Sequence, residues 1–131
     1  MALILVVDDY APILSMLHLM LSSAGYEVFT ASDGAAVPEL AAHLKPDLVL
    51  MDVDMPRRDG VAICGDLKRT PATTDIPVLM MTGRLSMGVL REARAAGALG
   101  VLSKPFIRVR LLEEVASAIT PRPTCQGTSC M

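Results

Sequence analysis

The sequence predicts an α/β fold in which five parallel strands form a doubly wound sheet with helices on both faces. Short apolar runs, rich in β-branched and aliphatic residues, alternate with longer stretches of helical spacing, as βαβ units require. Four of the five runs are apolar at successive positions, which is expected of strands covered on both faces. Right-handed crossovers, with the second strand outside the first, then give the strand order 2-1-3-4-5. The predicted strands are Leu3–Val7, Glu27–Thr30, Leu48–Met51, Pro77–Met81 and Ala98–Leu102.

Local features assign the first elements in order. The stretch Met1–Val7 is the longest unbroken apolar run, and it is far shorter than the ~20 residues of a membrane-spanning helix. It has no basic lead and no small-residue cleavage site, so it predicts a strand instead of a signal peptide. The segment Tyr26–Thr30 alternates in character, which suits a strand at the sheet edge. Pro38 interrupts the early turns of the second helix, which predicts a start near Val37 instead of Gly34.

Length and composition indicate a single globular domain. The chain has 131 residues, 52% of them hydrophobic and 20% charged, which fits one buried core and excludes a disordered chain. A net charge of −2 and an aromatic content of 3% argue against nucleic-acid binding, because such domains are usually basic. We expect a domain over residues 1–119 and a mobile, Pro-rich tail over 120–131. The odd set Cys64, Cys125 and Cys130 argues against a disulfide framework and favours a reducing cytoplasm.

Polar side chains stand where four of the predicted strands end. Asp8 and Asp9 follow the first strand, Asp52 the third, Thr82 the fourth and Lys104 the fifth. In open α/β sheets, ligands bind beyond the carboxyl ends of the strands near the switch in strand order, so these side chains should converge. Three adjacent carboxylates need a cation, and hard oxygen ligands without His or Cys favour Mg²⁺. A carboxylate, a divalent cation, a lysine and a hydroxyl are the groups required for phosphoryl transfer to an aspartate.

Five short motifs occur in order at and after the predicted strand ends. They are Val6-Val7-Asp8-Asp9, Leu50-Met51-Asp52-Val53-Asp54-Met55-Pro56, Asp59-Gly60, Met81-Thr82-Gly83 and Ser103-Lys104-Pro105-Phe106. With these motifs in this order and at these intervals, residues 2–119 resemble the receiver domain of two-component response regulators. The resemblance implies a phosphorylation-dependent switch of a two-component phosphorelay. It also implies slow loss of the phosphoryl group by the protein's own action, without turnover of a separate substrate.

By position, the resemblance assigns the phosphoacceptor and the metal ligands. Asp52 would be the phosphoacceptor and would also contact Mg²⁺. Asp9 would be the direct metal ligand, and Asp8 would act on the metal mainly through water. The backbone carbonyl of Asp54 would complete the protein ligands. A helix-capping role would explain one aspartate after the first strand, but it would not explain two of them together with Asp52.

The same resemblance assigns the residues that respond to phosphorylation. Lys104 would pair with the phosphoryl group, Thr82 would move toward it, and Pro105 would follow a cis peptide bond. Two positions depart from the family pattern. Val101 stands where many receivers have an aromatic residue that turns inward, so an aromatic rotamer switch is absent. Gly83 stands where alanine is common, which keeps the phosphoryl group accessible and loosens the loop.

A third departure, Asp54, adds a negative charge two residues beyond the phosphoacceptor. Arg84 follows Thr82 by two residues, and in receivers these two positions flank the path of the hydrolytic water. We predict that Arg84 reaches Asp54 or a phosphoryl oxygen and thereby slows hydrolysis. A competing effect is that Asp54 orients the water as a general base, which would speed hydrolysis.

The first helix, Pro12–Ser23, contains no charged residue. Helical spacing places Leu19 opposite the core stripe and Met16 on its flank, so both are predicted to be docking residues for a partner. The predicted core stripe is Ile13, Leu14, Leu17, Met20, Leu21 and Ala24. The resemblance implies that a histidine kinase or a histidine phosphotransfer protein docks there. It further implies a downstream protein target. We expect no nucleic-acid binding and no membrane insertion by this chain. The chain could also form a homodimer.

Three alternatives remain at this point. A pseudo-receiver would keep the shape and bind proteins without being phosphorylated. A phosphatase of the haloacid-dehalogenase type would use Asp52-Val53-Asp54 as its nucleophile and acid/base pair, although those enzymes usually carry that motif on the first strand. The chain could also be part of a longer regulator whose output domain follows residue 131.

Overall fold

The computed structural model describes residues 2–55 and 59–119 and contains a five-stranded, fully parallel sheet. The strand order is β2-β1-β3-β4-β5, so the predicted fold class and topology are confirmed. The strands are β1 (Leu3–Val7), β2 (Glu27–Ala31), β3 (Leu48–Asp52), β4 (Val78–Thr82) and β5 (Gly100–Ser103). The predicted tail, residues 120–131, lies outside the described residues.

Five α-helices cover the two faces of the sheet. They are α1 (Ala11–Ser23), α2 (Val37–Leu44), α3 (Gly60–Arg69), α4 (Met87–Ala95) and α5 (Arg108–Ile119). Successive side chains of a strand point to opposite faces, and in β1 both sets are buried. Leu5 and Val7 pack with α2, α3 and α4, whereas Ile4 and Val6 pack with α1 and α5. Within the described ranges, no helix is long and apolar enough to cross a membrane.

The second strand and the second helix follow the predicted pattern. β2 forms one edge of the sheet and pairs only with β1, and none of its residues is fully buried. A 3₁₀ turn over Gly34–Ala36 precedes α2, and the Asp33 carboxylate caps it by accepting the Ala35 N–H. α2 begins at Val37 with a proline in its first turn, as predicted.

Two predictions about local structure are wrong. The fifth strand begins at Gly100 instead of Ala98, because Gly97 (φ +106°) ends α4 with a turn in which the Ala98 N–H donates to the Ala93 carbonyl. Ala98 is buried in that turn and not in the strand. Ala24 is exposed, since it is the C-cap of α1 and lies beyond the face of the helix that packs on the sheet.

The exposure of the α1 side chains follows the pattern that helical spacing predicts. Leu17 and Leu21 are fully buried against the sheet, whereas Leu19 is 70% exposed and Met16 is half-buried. The helix begins after Tyr10 and has no acidic residue in its first turn and no basic residue in its last. Its outer surface therefore carries no Asp, Glu, Lys or Arg and combines Leu19 with the exposed polar side chains of Ser15, His18 and Ser22.

Candidate functional site

The carboxyl ends of four adjacent strands bring the predicted site residues together. Asp8 directly follows β1, Asp52 ends β3, Thr82 ends β4, and Lys104 directly follows β5. Three of these side chains belong to residues that are almost completely buried: Asp8 (0% exposed), Asp52 (4%) and Thr82 (1%). Four polar side chains thus line one pocket at this edge of the sheet, with Asp9 at its rim.

Lys104 connects the two buried carboxylates. Its Nζ atom lies 2.9 Å from Asp8 Oδ2 and 3.3 Å from Asp52 Oδ2. The lysine side chain is 19% exposed, so the ammonium group is largely shielded from solvent. One cation shared by two buried anions leaves excess negative charge in the pocket.

The titration of Asp52 reflects this imbalance. Burial, together with the negative charge of Asp8, raises the pKa of Asp52 from 3.8 to about 6. The N–H of Asp54 and the ammonium group of Lys104 oppose the shift and do not cancel it. Burial alone would lower the pKa of Lys104, but its hydrogen bond to Asp8 and the charges of Asp52 and Asp8 raise it overall. Asp52 is therefore mainly ionised near pH 7, and a nearby cation would increase that fraction.

The carboxylates of Asp8, Asp9 and Asp52 form a cluster that fits a hard divalent cation. One oxygen of each lies within 4.8 Å of the others. Both oxygens of Asp8 already accept hydrogen bonds, Oδ1 from the Tyr10 N–H and Oδ2 from Lys104. Asp9 is exposed, and its carboxylate accepts no hydrogen bond from any described residue. An all-oxygen donor set that includes an exposed carboxylate matches the preference of Mg²⁺.

The backbone around Asp52 is held from two sides. The Val53 N–H donates to the Met81 carbonyl, which extends the β3–β4 ladder beyond Asp52, and the Asp54 N–H donates to Asp52 Oδ1. Gly60 packs so closely that an added Cβ would collide with the Asp52 carbonyl oxygen. Asp59, from the Asp59-Gly60 motif, is the N-cap of α3, and its carboxylate accepts the Val61 N–H.

Thr82 and Asp54 form a contact that the sequence analysis missed. The Thr82 hydroxyl donates to Asp54 Oδ2 at 3.1 Å and accepts the main-chain N–H of Arg84 at 3.0 Å. The Arg84 side chain is exposed and forms no ion pair with Asp54, so that part of the predicted pairing is not formed. No sequence motif predicts the bond between Thr82 and Asp54. The sequence signal for it is only positional: Asp54 lies two residues beyond Asp52, and Thr82 ends the adjacent strand.

The remaining predicted positions surround this pocket. Val101 is half-buried and packs against the core on the face of the sheet that is covered by α2, α3 and α4. Gly83 is exposed, and an added Cβ would meet nothing within 4 Å. The peptide bond between Lys104 and Pro105 is cis, as the resemblance implied.

Comparison with known proteins gives consistent matches at the level of sequence. The response regulator receiver domain matches residues 4–116. Over 116 residues, or 88% of the chain, the sequence is 36% identical to the DNA-binding dual master transcriptional regulator RpaA of Synechocystis and covers 48% of it. Over the same length it is 40% identical to the response regulator PleD of Caulobacter vibrioides, of which it covers 26%. The chain thus spans about half of the first relative and about a quarter of the second.

Solved structures give the same result at the level of the fold. The chemotaxis protein CheY4 of Vibrio cholerae superposes with a TM-score of 0.86 at 35% identity, covering 90% of this chain and 98% of that one. The receiver domain of the sensor histidine kinase PA1611 of Pseudomonas aeruginosa, described with magnesium coordinated in its active-site cleft, gives a TM-score of 0.84 at 27% identity. That match covers 92% of this chain and 98% of that one. With the acidic pocket at the strand ends and a matched region of this extent, the chain belongs to the receiver-domain family of response regulators.

Proposed function

We propose that the protein is a phosphorylation-dependent signalling switch that accepts a phosphoryl group on Asp52 from a histidine kinase or a histidine phosphotransfer protein. The observation that carries this proposal is the arrangement of Asp52, Asp8 and Lys104, in which a buried carboxylate at a strand end lies 3.3 Å from a lysine ammonium group. The match to the response regulator receiver domain over residues 4–116 supports the proposal, since the resemblance implies a phosphoacceptor aspartate at this position. Phosphoryl transfer depends mostly on positioning and charge stabilisation, and this pocket offers both.

Mg²⁺ is the cofactor we propose. Asp9, Asp52 and the backbone carbonyl of Asp54 would hold it directly, and Asp8, whose oxygens are already engaged, would act through water. When bound, Mg²⁺ would neutralise charge on the phosphoryl oxygens and on the carboxylates. The description of magnesium in the cleft of the PA1611 receiver domain supports this choice.

The proposed transfer forms one bond and breaks one. A carboxylate oxygen of Asp52 attacks phosphorus while the bond between phosphorus and the donor's imidazole nitrogen breaks, and the imidazole leaves with the bonding electron pair. Lys104 would then pair with a phosphoryl oxygen instead of Asp52, and the Thr82 hydroxyl would turn toward another. Attack by water on the acyl phosphate later returns the Asp52 carboxylate and inorganic phosphate, so the signal ends without a second enzyme.

The proposed docking surface for the phosphoryl donor is the outer face of α1. Leu19 and Met16 present apolar side chains there, and the helix has no charged residue that would have to be desolvated on binding. A downstream protein target would read the phosphorylated state. We further propose that residues 1–119 form the receiver unit with 120–131 as a tail, and that the protein acts in the cytoplasm, where such donors have their catalytic domains.

Labelling with acetyl phosphate tests the proposal directly. Mass spectrometry of the protein treated in Mg²⁺ should show one added phosphoryl group, which should be absent in Asp52→Asn and after chelation of Mg²⁺. Asp75→Asn, which removes an exposed aspartate far from the pocket, serves as the matched control and should be labelled like the wild type. A folded wild type that is never modified would identify a pseudo-receiver, and sustained phosphomonoester turnover would identify a phosphatase.

A further inference from the structure

The hydroxyl of Thr82 is fully engaged in the unphosphorylated protein. It has one hydrogen, which it donates to Asp54 Oδ2 at 3.1 Å, because an ionised carboxylate can only accept. The same oxygen accepts the main-chain N–H of Arg84 at 3.0 Å. Thr82 is 1% exposed, so water cannot readily replace these partners. A hydrogen bond from Thr82 to a phosphoryl group on Asp52 therefore requires that the bond to Asp54 be broken.

The acceptor in this bond is itself held beside Asp52. The Asp54 N–H donates to Asp52 Oδ1 at 3.2 Å, which fixes the start of the loop that carries the Asp54 side chain. Asp54 is exposed, so its carboxylate is solvated while it accepts the hydroxyl hydrogen. Charge-assisted hydrogen bonds of this kind are stronger than those between neutral groups.

We propose that Asp54 is a positioning residue that holds the Thr82 hydroxyl in its unphosphorylated orientation and thereby opposes the active state. This inference rests on the proposed function, since the competing acceptor is the phosphoryl group on Asp52. The structure also indicates how the effect spreads. When the Thr82 hydroxyl turns, the Arg84 N–H loses its acceptor, so the segment that leads from β4 into α4 is released in the same event.

The negative charge of Asp54 would oppose a phosphoryl group even without this hydrogen bond, and the test must separate the two effects. Beryllium trifluoride with Mg²⁺ mimics an aspartyl phosphate, and its dissociation constant can be measured by ¹⁹F NMR titration. Asp54→Asn removes the charge and keeps an oxygen acceptor for the hydroxyl, whereas Asp54→Ala removes both. Thr82→Val removes the hydroxyl and keeps the shape of the side chain.

We expect Asp54→Ala to bind beryllium trifluoride threefold to tenfold more tightly than the wild type, with Asp54→Asn in between. In the Thr82→Val background, Asp54→Ala should give only the smaller gain due to charge. Equal gains in both backgrounds would overturn the inference. A wild type that stays folded and forms no adduct would instead refute the proposed function, which is a different result.

A second measurement does not use a phosphoryl mimic. The three-bond couplings of Thr82 report its χ1 angle in the metal-free protein, where the wild type should occupy a single rotamer. Asp54→Ala should average these couplings over two or more rotamers, because the acceptor is gone. Asp75→Asn, an exposed substitution away from the pocket, should leave them unchanged. An unchanged single rotamer in Asp54→Ala would also overturn the inference.

Discussion

The ammonium group of Lys104 donates a hydrogen bond of 2.9 Å to Asp8, and this pair joins the ends of β5 and β1, which are not neighbours in the sheet. The ends of β3 and β4 lie between the two strands that this bond joins. Asp8 is fully buried. The next residue, Asp9, is exposed and has no partner in the part of the chain that the structure describes. Two consecutive aspartates therefore have different surroundings.

The first prediction separates these two aspartates. Asp9→Asn should leave the stability of the metal-free protein within about 0.5 kcal/mol of the wild type, because Asp9 forms no hydrogen bond or ion pair with residues 2–55 or 59–119. It should also abolish most of the stabilisation by Mg²⁺, which amounts to about 2.7 kcal/mol at a hundredfold excess over the Kd. Asp8→Asn should destabilise the metal-free protein, because Lys104 loses a charged acceptor. Urea unfolding with and without Mg²⁺ measures both effects. If the two variants showed the same metal-free stability and the same stabilisation by Mg²⁺, the proposed difference between Asp8 and Asp9 would be contradicted.

The second prediction concerns pH. In the metal-free protein the folded state raises the pKa of Asp52 from 3.8 to about 6, so the folded state binds the proton more tightly than the unfolded chain. The resulting stability is fully present below pH 3.8 and is lost as the pH rises through about 6. Asp52→Asn should therefore be more stable than the wild type by about 1–3 kcal/mol at pH 7.5 in EDTA. The difference should shrink toward pH 5, whereas Asp75→Asn should show no such trend.

The third prediction concerns Gly60, which packs against the Asp52 carbonyl oxygen. Gly60→Ala should destabilise the fold by about 2 kcal/mol or more, because the new methyl group meets backbone that cannot move aside. Gly88→Ala on α4 is the matched control: the nearest atom to its new methyl group would be 3.8 Å away, and the change should stabilise the helix by up to about 1 kcal/mol. Chemical denaturation of both variants measures the contrast, and a Gly60→Ala as stable as the wild type would disprove the steric argument.

The fourth prediction concerns docking on α1. Leu19→Glu should reduce the rate of phosphoryl transfer from the cognate kinase at least tenfold, because it places a charge in a surface that must be desolvated. Labelling by acetyl phosphate should be unchanged, since that donor needs no docking surface. Met87→Glu on α4, where the side chain is 64% exposed, is the matched control and should transfer like the wild type. Equal losses with both donors would point to a folding defect.

The fifth prediction concerns the lifetime of the phosphorylated state. The Arg84 side chain is exposed beside Gly83 and is not paired with Asp54, so its guanidinium group is available to a phosphoryl oxygen. A contact that raises the hydrolysis barrier by roughly 1.4 kcal/mol slows the reaction about tenfold. Arg84→Ala should therefore lose phosphate up to about tenfold faster, whereas Arg91→Ala on α4 should match the wild type. Phosphate release from the purified phosphoprotein measures this, and an equal or slower rate would refute the gating role.

The convergence of the site was predictable because it depends on topology alone. Asp8, Asp52, Thr82 and Lys104 each stand at the end of an apolar run, and the strand order then brings those ends together whatever the side-chain conformations are. The late start of α2 was predictable for a similar reason, since Pro38 acts through a fixed φ angle.

The bond between Thr82 and Asp54 was not predictable from the sequence, because it depends on side-chain rotamers and on a loop path between two strands. The sequence instead suggested that Arg84 would reach Asp54, since opposite charges suggest a pair when no geometry is known. The start of β5 was misplaced because Ala98 is apolar and buried, as a strand residue would be, and only the turn at Gly97 sets it apart.

Because the backbone at Asp52 is fixed, partner specificity can change during evolution without a change at the phosphoacceptor site. The backbone of Asp52 is held by the strand ladder and by Gly60, whereas Leu85, which precedes α4, and Met87, the first residue of α4, are exposed. Substitutions there alter the surface presented to a binding partner and leave the reacting carboxylate in place. A duplicated copy of this chain could therefore acquire a new partner through changes at these surface positions while it inherits the phosphoryl chemistry intact.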